Sequence, residues 1–294
     1  VGGCIPIIKA VRESLSSNRI LHLYGILNGT CNYILTKMTY EGKPFDEVLA
    51  AAQAEGYAET PPDLDINGDD TAHKCQILAS LAYATRVDYR ALPVEGITQI
   101  TALDVQYARE MGYVIKLLAR ADADGETLAA RVCPTLVPED HLLAAVRDEL
   151  NAVYIESDVA GPTLHYGRGA GRMATASAVI ADLMDIARQG GGPFEPPFIY
   201  NRDLPLRDPG ALEGRYYLRH TVLDHPGVLG RICTALGEHG VRISALLQRE
   251  ESEDVPAHIV IMTDATQERA LRDALAVIDA LEFTREPTQV IRIL

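Results

Sequence analysis

Apolar positions fall into two rhythms along this chain, and the rhythm changes at glycines. Ile5, Ile8, Val11 and Leu15 recur at helical spacing until the polar run "SSNR", which predicts a helix over roughly 5–17. "RILHLYGILN" alternates as a strand does and passes through a glycine turn into a helical "GTCNYILTKM". "PFDEVLAAAQAEGYAE" reads as a second helix, stopped by Gly56. After Gly68, "DDTAHKCQILASLAYAT" carries the pattern of a further helix, with Asp or Asn available as its cap. "YVIKLLARADADGETLAARVCPTLV" predicts two strands around a turn at Asp124 and Gly125, and "NAVYIESDVAGPTLHYG" predicts two more. The glycine-rich "GRGAGRM" then leads into a long helix, "ATASAVIADLMDIARQ". Strands and helices mix without strict alternation, so the expected class is α+β with a mixed sheet, not a doubly wound sheet.

From Gly190 to Gly214 the periodicity stops and Pro and Gly dominate, the composition of a linker. Beyond it come "RYYLRHTVL", "DHPGVLGRICTALGEHG", "VRISALLQRE", "PAHIVIMTD", "TQERALRDALAVIDAL" and "PTQVIRIL". Their order is β-α-β-β-α-β, the ferredoxin-like split unit. The expected division is a first domain over 1–195, a linker over 196–214 and a separate small domain over 215–294.

Composition narrows the partners. A chain of 294 residues suffices for two domains. Its formal charge of −14 argues against a nucleic-acid surface and against anionic membranes, because both need clustered Lys and Arg. No apolar run approaches a membrane span and no signal-peptide pattern opens the chain, so a soluble, cytoplasmic protein is expected. The five cysteines, Cys4, Cys31, Cys75, Cys133 and Cys233, form no C-x-x-C pair and fit reduced thiols. Cys75, beside Lys74, reads as a small buried hydrophobe more readily than as a reactive thiol. His220, His225, His239 and His258 lack metal-ligand spacing.

The densest chemistry lies in "AETPPDLDINGDDTAHK". Asp63, Asp65, Asn67 and Gly68 reproduce the D-x-D-x-N-G opening of a calcium loop. The twelfth position, which should supply a bidentate Glu, is Lys74, and the eighth, normally apolar, is Asp70. A cation there would repel the metal, so calcium is disfavoured. Asp70 and Lys74 are instead spaced i, i+4 on one helix face. From the residues alone this is either an ordinary helix ion pair or a lysine poised by a carboxylate to carry a proton.

Five motifs in order, "VGGCIPII", "GILNGTCNYILTKM", "AQAEGYAE", "DINGDDTAHK" and "GRGAGRMATASAVIADL", resemble homoserine dehydrogenase over about 190 residues, and the last 80 with their "DHPGVL" loop resemble an ACT domain. The resemblance implies NADP- or NAD-linked interconversion of homoserine and aspartate semialdehyde, on the route to threonine, methionine and isoleucine. It also implies a catalytic and dimerisation domain, a homo-oligomer, and threonine feedback through the ACT domain. The family's N-terminal Rossmann domain has no counterpart here. No strand runs into G-x-G-x-x-G near the start, and Gly167, Gly169 and Gly171 lie far from a βαβ fingerprint. A chain of this kind is expected to be inactive alone, and a non-catalytic amino-acid sensor built on the ACT domain is the alternative.

The resemblance also assigns positions. Lys74 matches the proton donor and acceptor; Glu59, Asp70 and Asp65 match acidic substrate contacts, with Tyr57 and Thr30 further in the pocket. Gly56 and Gly171 match glycines where backbone approaches the cofactor. The carbonyls of Val1, Gly3 and Ile5 match a loop that holds a sodium ion. In the ACT domain Asp224, Gly227, Val228 and Leu229 match an effector loop. Three positions depart from the family pattern: Pro61 where Asp is usual, Ala174 where Pro is usual, and Cys4 where glycine is common.

Overall fold

The structure is a computed structural model and describes residues 1–188, 190, 200–248 and 256–294. Among these residues a single mixed sheet runs through the molecule. Its strands are β1 (Ile20–Ile26), β2 (Tyr113–Ala123), β3 (Leu128–Pro138), β4 (Leu150–Ser157), β5 (Gly161–Arg168), β6 (Glu213–Val222), β7 (Ile243–Gln248), β8 (Ala257–Thr263), the two-residue β9 (Thr266–Gln267) and β10 (Thr284–Ile293). The spatial order is β5-β4-β1-β2-β3-β10-β6-β8-β7, with β9 beside β6. β3 and β10 pair in parallel and the other neighbours are antiparallel.

The helices are α1 (Ile7–Lys9), α2 (Gly29–Glu41), α3 (Phe45–Ala54), α4 (Asp63–Ile66), α5 (Asp69–Tyr83), α6 (Ala102–Glu110), α7 (Arg172–Arg188), α8 (Val228–Glu238) and α9 (Glu268–Asp279). None is long and apolar enough to cross a membrane. Alternation along β2 sorts its side chains by face. Ile115, Leu117, Ala119 and Ala121 join the main core under α2 and α5, while Val114 and Leu118 join a smaller cluster on the other side. That second face also carries Tyr24, Arg120 and Tyr154, each half-buried. The Tyr24 and Tyr154 rings lie 6.1 Å apart, and Arg120 sits over Tyr24.

Several local expectations change. The helix read over 5–17 is one α-turn, Ile7–Lys9, that loosens into a π-helical turn at Ala10–Ser14. The cap of α5 is Gly68, at φ +91°, with no side-chain hydrogen bond, and not an Asp or Asn. Space explains the choice, since a Cβ at Gly68 would meet Val94 at 3.1 Å as well as straining the backbone. The acidic stretch is no open loop: Asp63–Ile66 closes a helical turn. α6 was not anticipated, although Thr101 and Asp104 form a reciprocal capping box at its start.

The Pro-rich segment expected as a linker is laced to the body over its described part. Arg202 N–H donates to the Ala84 carbonyl, Leu128 N–H to Pro205, and Arg207 N–H to Leu128, while Leu204 is buried. Residues 196–199 of that linker lie outside the described residues. The C-terminal β-α-β-β-α-β unit has its own core around Leu218, Ile232, Ile261 and Ile278. Its β10 nevertheless continues the first sheet, with Arg292 opposite Thr135 and Ile293 opposite Leu136.

Two buried ion clusters fasten this join. Asp104, fully buried on α6, accepts from Arg219 Nε at 2.7 Å and from Tyr217 OH at 3.1 Å on β6. Glu268, at the start of α9, accepts from Arg131 on β3 at 3.0 Å and from Arg292 on β10 at 2.9 Å. Burial alone would raise the Glu268 pKa, but the flanking Arg292 and Arg131 outweigh it and hold the carboxyl below its ordinary value.

Candidate active site

The site is assembled where β1 hands over to α2. Leu27 is buried, and Asn28 leaves the strand in an extended conformation to act as the helix N-cap. Its side-chain oxygen accepts from Cys31 N–H at 2.8 Å. This turn faces the first two turns of α5 and the short α4. Ile66 is in turn fixed by Ile97 N–H, which donates to its carbonyl at 2.8 Å.

Lys74 Nζ lies 2.6 Å from Asp70 Oδ2, one turn earlier on α5, and 3.0 Å from the Leu27 carbonyl. Their side chains are 28% and 32% exposed, so the pair opens to solvent on one side. An ammonium has three N–H donors, and two are spent here. One N–H remains available to a further acceptor. Asn28 Nδ2 donates to Asp65 Oδ1 at 2.7 Å and to the same Asp70 Oδ2 at 2.9 Å. Asp65 Oδ2 and Asp70 Oδ1 are left without a hydrogen bond among the described residues.

Glu59, Asp65 and Asp70 line one open groove of about 170 Å³ together with Pro61, Pro62 and His73. The structure thus gathers the three acids expected from the sequence, with Lys74 bonded to one of them. Pro61, where the family usually has Asp, is part of the groove wall and follows a cis peptide bond. Thr30 is buried and donates its hydroxyl to the Tyr57 carbonyl at 2.7 Å, which pins the Gly56–Tyr57 turn to α2. The Tyr57 ring stacks on Tyr33 with centroids 4.8 Å apart.

His73 and Asn28 were missed in the sequence. His73 meets Tyr89 edge to face at 4.2 Å. Asn28 could have been found as a helix cap from "LNGT", a polar residue between a strand and a helical run. Cys75 is fully buried, its thiol pushed up to about 12 by burial, and packs as a hydrophobe.

Gly56 and Gly171 both hold left-handed backbone, at φ +79° and +112°, and nothing lies within 4 Å of where a Cβ would project. Open space over bare backbone fits close approach by a planar cofactor ring. Gly171 also opens α7, its carbonyl accepting from Thr175 N–H. At the chain start, Gly3 packs under the Arg168–Gly169 carbonyls and Ile5 C=O already accepts from Ile7 N–H. Three carbonyl oxygens fall short of a full cation shell, so Val1, Gly3 and Ile5 do not by themselves complete a sodium site.

In the C-terminal unit a groove of about 320 Å³ lies before α8, lined by His225, Pro226, Gly227, Val228, Arg231 and Phe283 among others. Gly227, at φ +93°, is the α8 N-cap. Asp224 is exposed beside this groove; neither it nor Leu229 lines it.

A mixed-sheet body carrying a lysine–carboxylate site, continued by a βαββαβ unit, defines an enzyme with an appended ACT-type module. Comparison with known proteins makes this specific. The homoserine dehydrogenase family model matches residues 6–184 and the ACT domain model residues 216–283. Homoserine dehydrogenase of Neisseria gonorrhoeae is 42% identical over 99% of this chain and 69% of its own length, and that of Pseudomonas aeruginosa 43% over 100% and 69%. The crystal structure of a homoserine dehydrogenase from Thiobacillus denitrificans superposes with a TM-score of 0.93 at 42% identity, covering 100% of this chain and 68% of that one. A hyperthermophilic archaeal homoserine dehydrogenase mutant in complex with NADPH matches 64% of this chain and 54% of its own at a TM-score of 0.55 and 28% identity. The chain belongs to the homoserine dehydrogenase family of oxidoreductases and carries an ACT domain.

Proposed function

We propose that this chain forms the substrate and proton-transfer site for the interconversion of L-homoserine and L-aspartate 4-semialdehyde, within the biosynthesis of threonine, methionine and isoleucine in the cytoplasm. The observation that carries the reading is the Lys74 ammonium, held by Asp70 and the Leu27 carbonyl with one N–H to spare beside an acidic groove. In the reducing direction the aldehyde carbon gains a hydride and its oxygen becomes an alkoxide, which takes a proton from Lys74. In the oxidising direction neutral Lys74 accepts the hydroxyl proton as the carbon gives up its hydride. Asp70 keeps the lysine aimed.

Glu59 and the spare oxygen of Asp65 meet the substrate ammonium, which is the reason for an acid-rich groove with a single lysine at its edge. NADP or NAD, when bound, supplies or takes the hydride, with Gly56 and Gly171 as the backbone it approaches. The NADPH complex of the archaeal relative supports a phosphorylated dinucleotide. The half-buried face bearing Tyr24, Arg120 and Tyr154 supports a homodimer formed by a second copy covering the sheet. The groove before α8, with Asp224 beside it, supports threonine as the ACT effector, its carboxylate at the α8 N-terminus or Arg231.

The test joins this chain to the segment of the Neisseria gonorrhoeae relative that it does not match and measures NADP- and NAD-linked homoserine oxidation, beside the 294-residue chain alone. Turnover by the joined protein and little by the chain alone is expected. Lys74→Ala should lower kcat by at least about 100-fold, the lower range for lost acid–base catalysis. Wild-type kcat in that variant removes the assignment.

A further inference from the structure

We infer that Asn28 is a positioning residue of this site, its one amide nitrogen holding the Asp65 and Asp70 carboxylates in register with Lys74; the inference rests on the reading of Lys74 as proton carrier. Asn28 is 5% exposed, and both polar atoms of its side chain are engaged. The oxygen accepts from Cys31 N–H at 2.8 Å, which fixes the amide's orientation and leaves Nδ2 facing the acids at 2.7 and 2.9 Å. Two carboxylates can only accept, and an amide NH₂ offers two donors.

Charge explains why an amide suits this place. Asp65 and Asp70 meet one nitrogen, close enough that their negative charges repel. A lysine or arginine between them would hold them too, but it would cancel the negative field that a substrate ammonium needs and compete with Lys74 for Asp70. A neutral donor pair restrains both carboxylates without either effect. Among the described residues Lys74 is then the sole cation paired with these acids. Each acid spends one oxygen on Asn28 and keeps the other for the groove that both line. The cap also ties this geometry to the rigid β1–α2 junction, whose Leu27 carbonyl receives Lys74 itself.

The decisive variant is Asn28→Ser in the joined, active protein, because a serine hydroxyl still caps α2 while the bridging NH₂ is gone. Its melting temperature should stay near wild type and its kcat should fall about 10- to 100-fold, the range for ångström-scale misplacement of reacting groups. Placed on Lys74→Ala, the same substitution should cost almost nothing further, since both act on one proton path. A structural fault would cost the double variant as much as the single one. Wild-type kcat in Asn28→Ser, or a full additional loss on Lys74→Ala, overturns the inference. If Asn28→Ser does not fold, Asn28→Asp, which keeps size and cap but adds a third carboxylate, is read by the same two comparisons. Wild-type kcat in Lys74→Ala alone sinks the proton-carrier reading instead, so the two failures are told apart.

Discussion

Lys74 Nζ and Asp70 Oδ2 lie 2.6 Å apart on one face of α5, and Asp70 offers that same oxygen to Asn28. Helix spacing alone explains the pairing, and an exposed pair of this kind is worth only about 0.3–0.5 kcal/mol. It does not explain why the ammonium also reaches the Leu27 carbonyl of another element. That second contact of the ammonium distinguishes a positioned lysine from a surface ion pair.

Asp70→Asn keeps the shape of the side chain and removes its charge. In the joined protein kcat for homoserine oxidation should fall at least about 10-fold, as expected when a proton carrier loses the group that holds it in place. Thermal stability should change by no more than about 0.5 kcal/mol because the pair is partly exposed. Steady-state kinetics with unchanged kcat would show that the carboxylate only decorates the helix.

Lys116, 2% exposed on β2, donates to Asn32 Oδ1 and to the Val146 carbonyl. Burial, helped by the nearby Arg147 and opposed by Asp148, brings its pKa down to about 7. Between that value and the ordinary lysine value near 10.4, the unfolded chain holds a proton that the folded protein has released, so stability rises with pH. Denaturant midpoints should climb from pH 7 to 10 in the wild type, and Lys116→Met should remove most of the climb. Parallel curves for the two proteins would place the titration elsewhere.

Glu268→Ala leaves Arg131 and Arg292 buried against each other without their shared carboxylate. A loss of about 3–5 kcal/mol is expected, the usual effect of removing one partner from a buried ion cluster. Because the folded pKa of Glu268 is depressed, its contribution is complete above the unfolded glutamate value of about 4.3 and drains away as pH falls through the folded value. Acid titration of stability should therefore be shallower in Glu268→Ala. Equal melting temperatures in the two proteins at pH 7 would contradict the role of this cluster.

Threonine should raise the melting temperature of the 294-residue chain, and Asp224→Ala should abolish the shift. Calorimetry checks binding directly. No heat and no shift at millimolar threonine would leave the groove before α8 without its proposed ligand.

Sequence and structure agree best where chemistry is local. Asp70 and Lys74 sit one helical turn apart and the Asp124–Gly125 turn closes β2 on β3, so spacing was enough to find both, while Glu59 and Asp65 were singled out within their acidic stretch by the family resemblance. Asn28 joins Asp65 and Asp70 from some 40 positions away, and only the fold brings them together. α6 is a different case. Its capping box was written in "TALD", but Asp104 also pairs with Arg219, and that use depends on tertiary contact. The Pro-rich stretch looked like a tether because its composition hides the backbone bonds that it makes to Ala84 and Leu128.

The parallel seam between β3 and β10 has a mechanical meaning. Strands that share a ladder, pinned on both sides by embedded arginines, cannot swing like a lid on a hinge. Any coupling between the groove before α8 and Lys74 would have to pass through this shared sheet, as a small torsion handed from strand to strand, and not through a module lifting away.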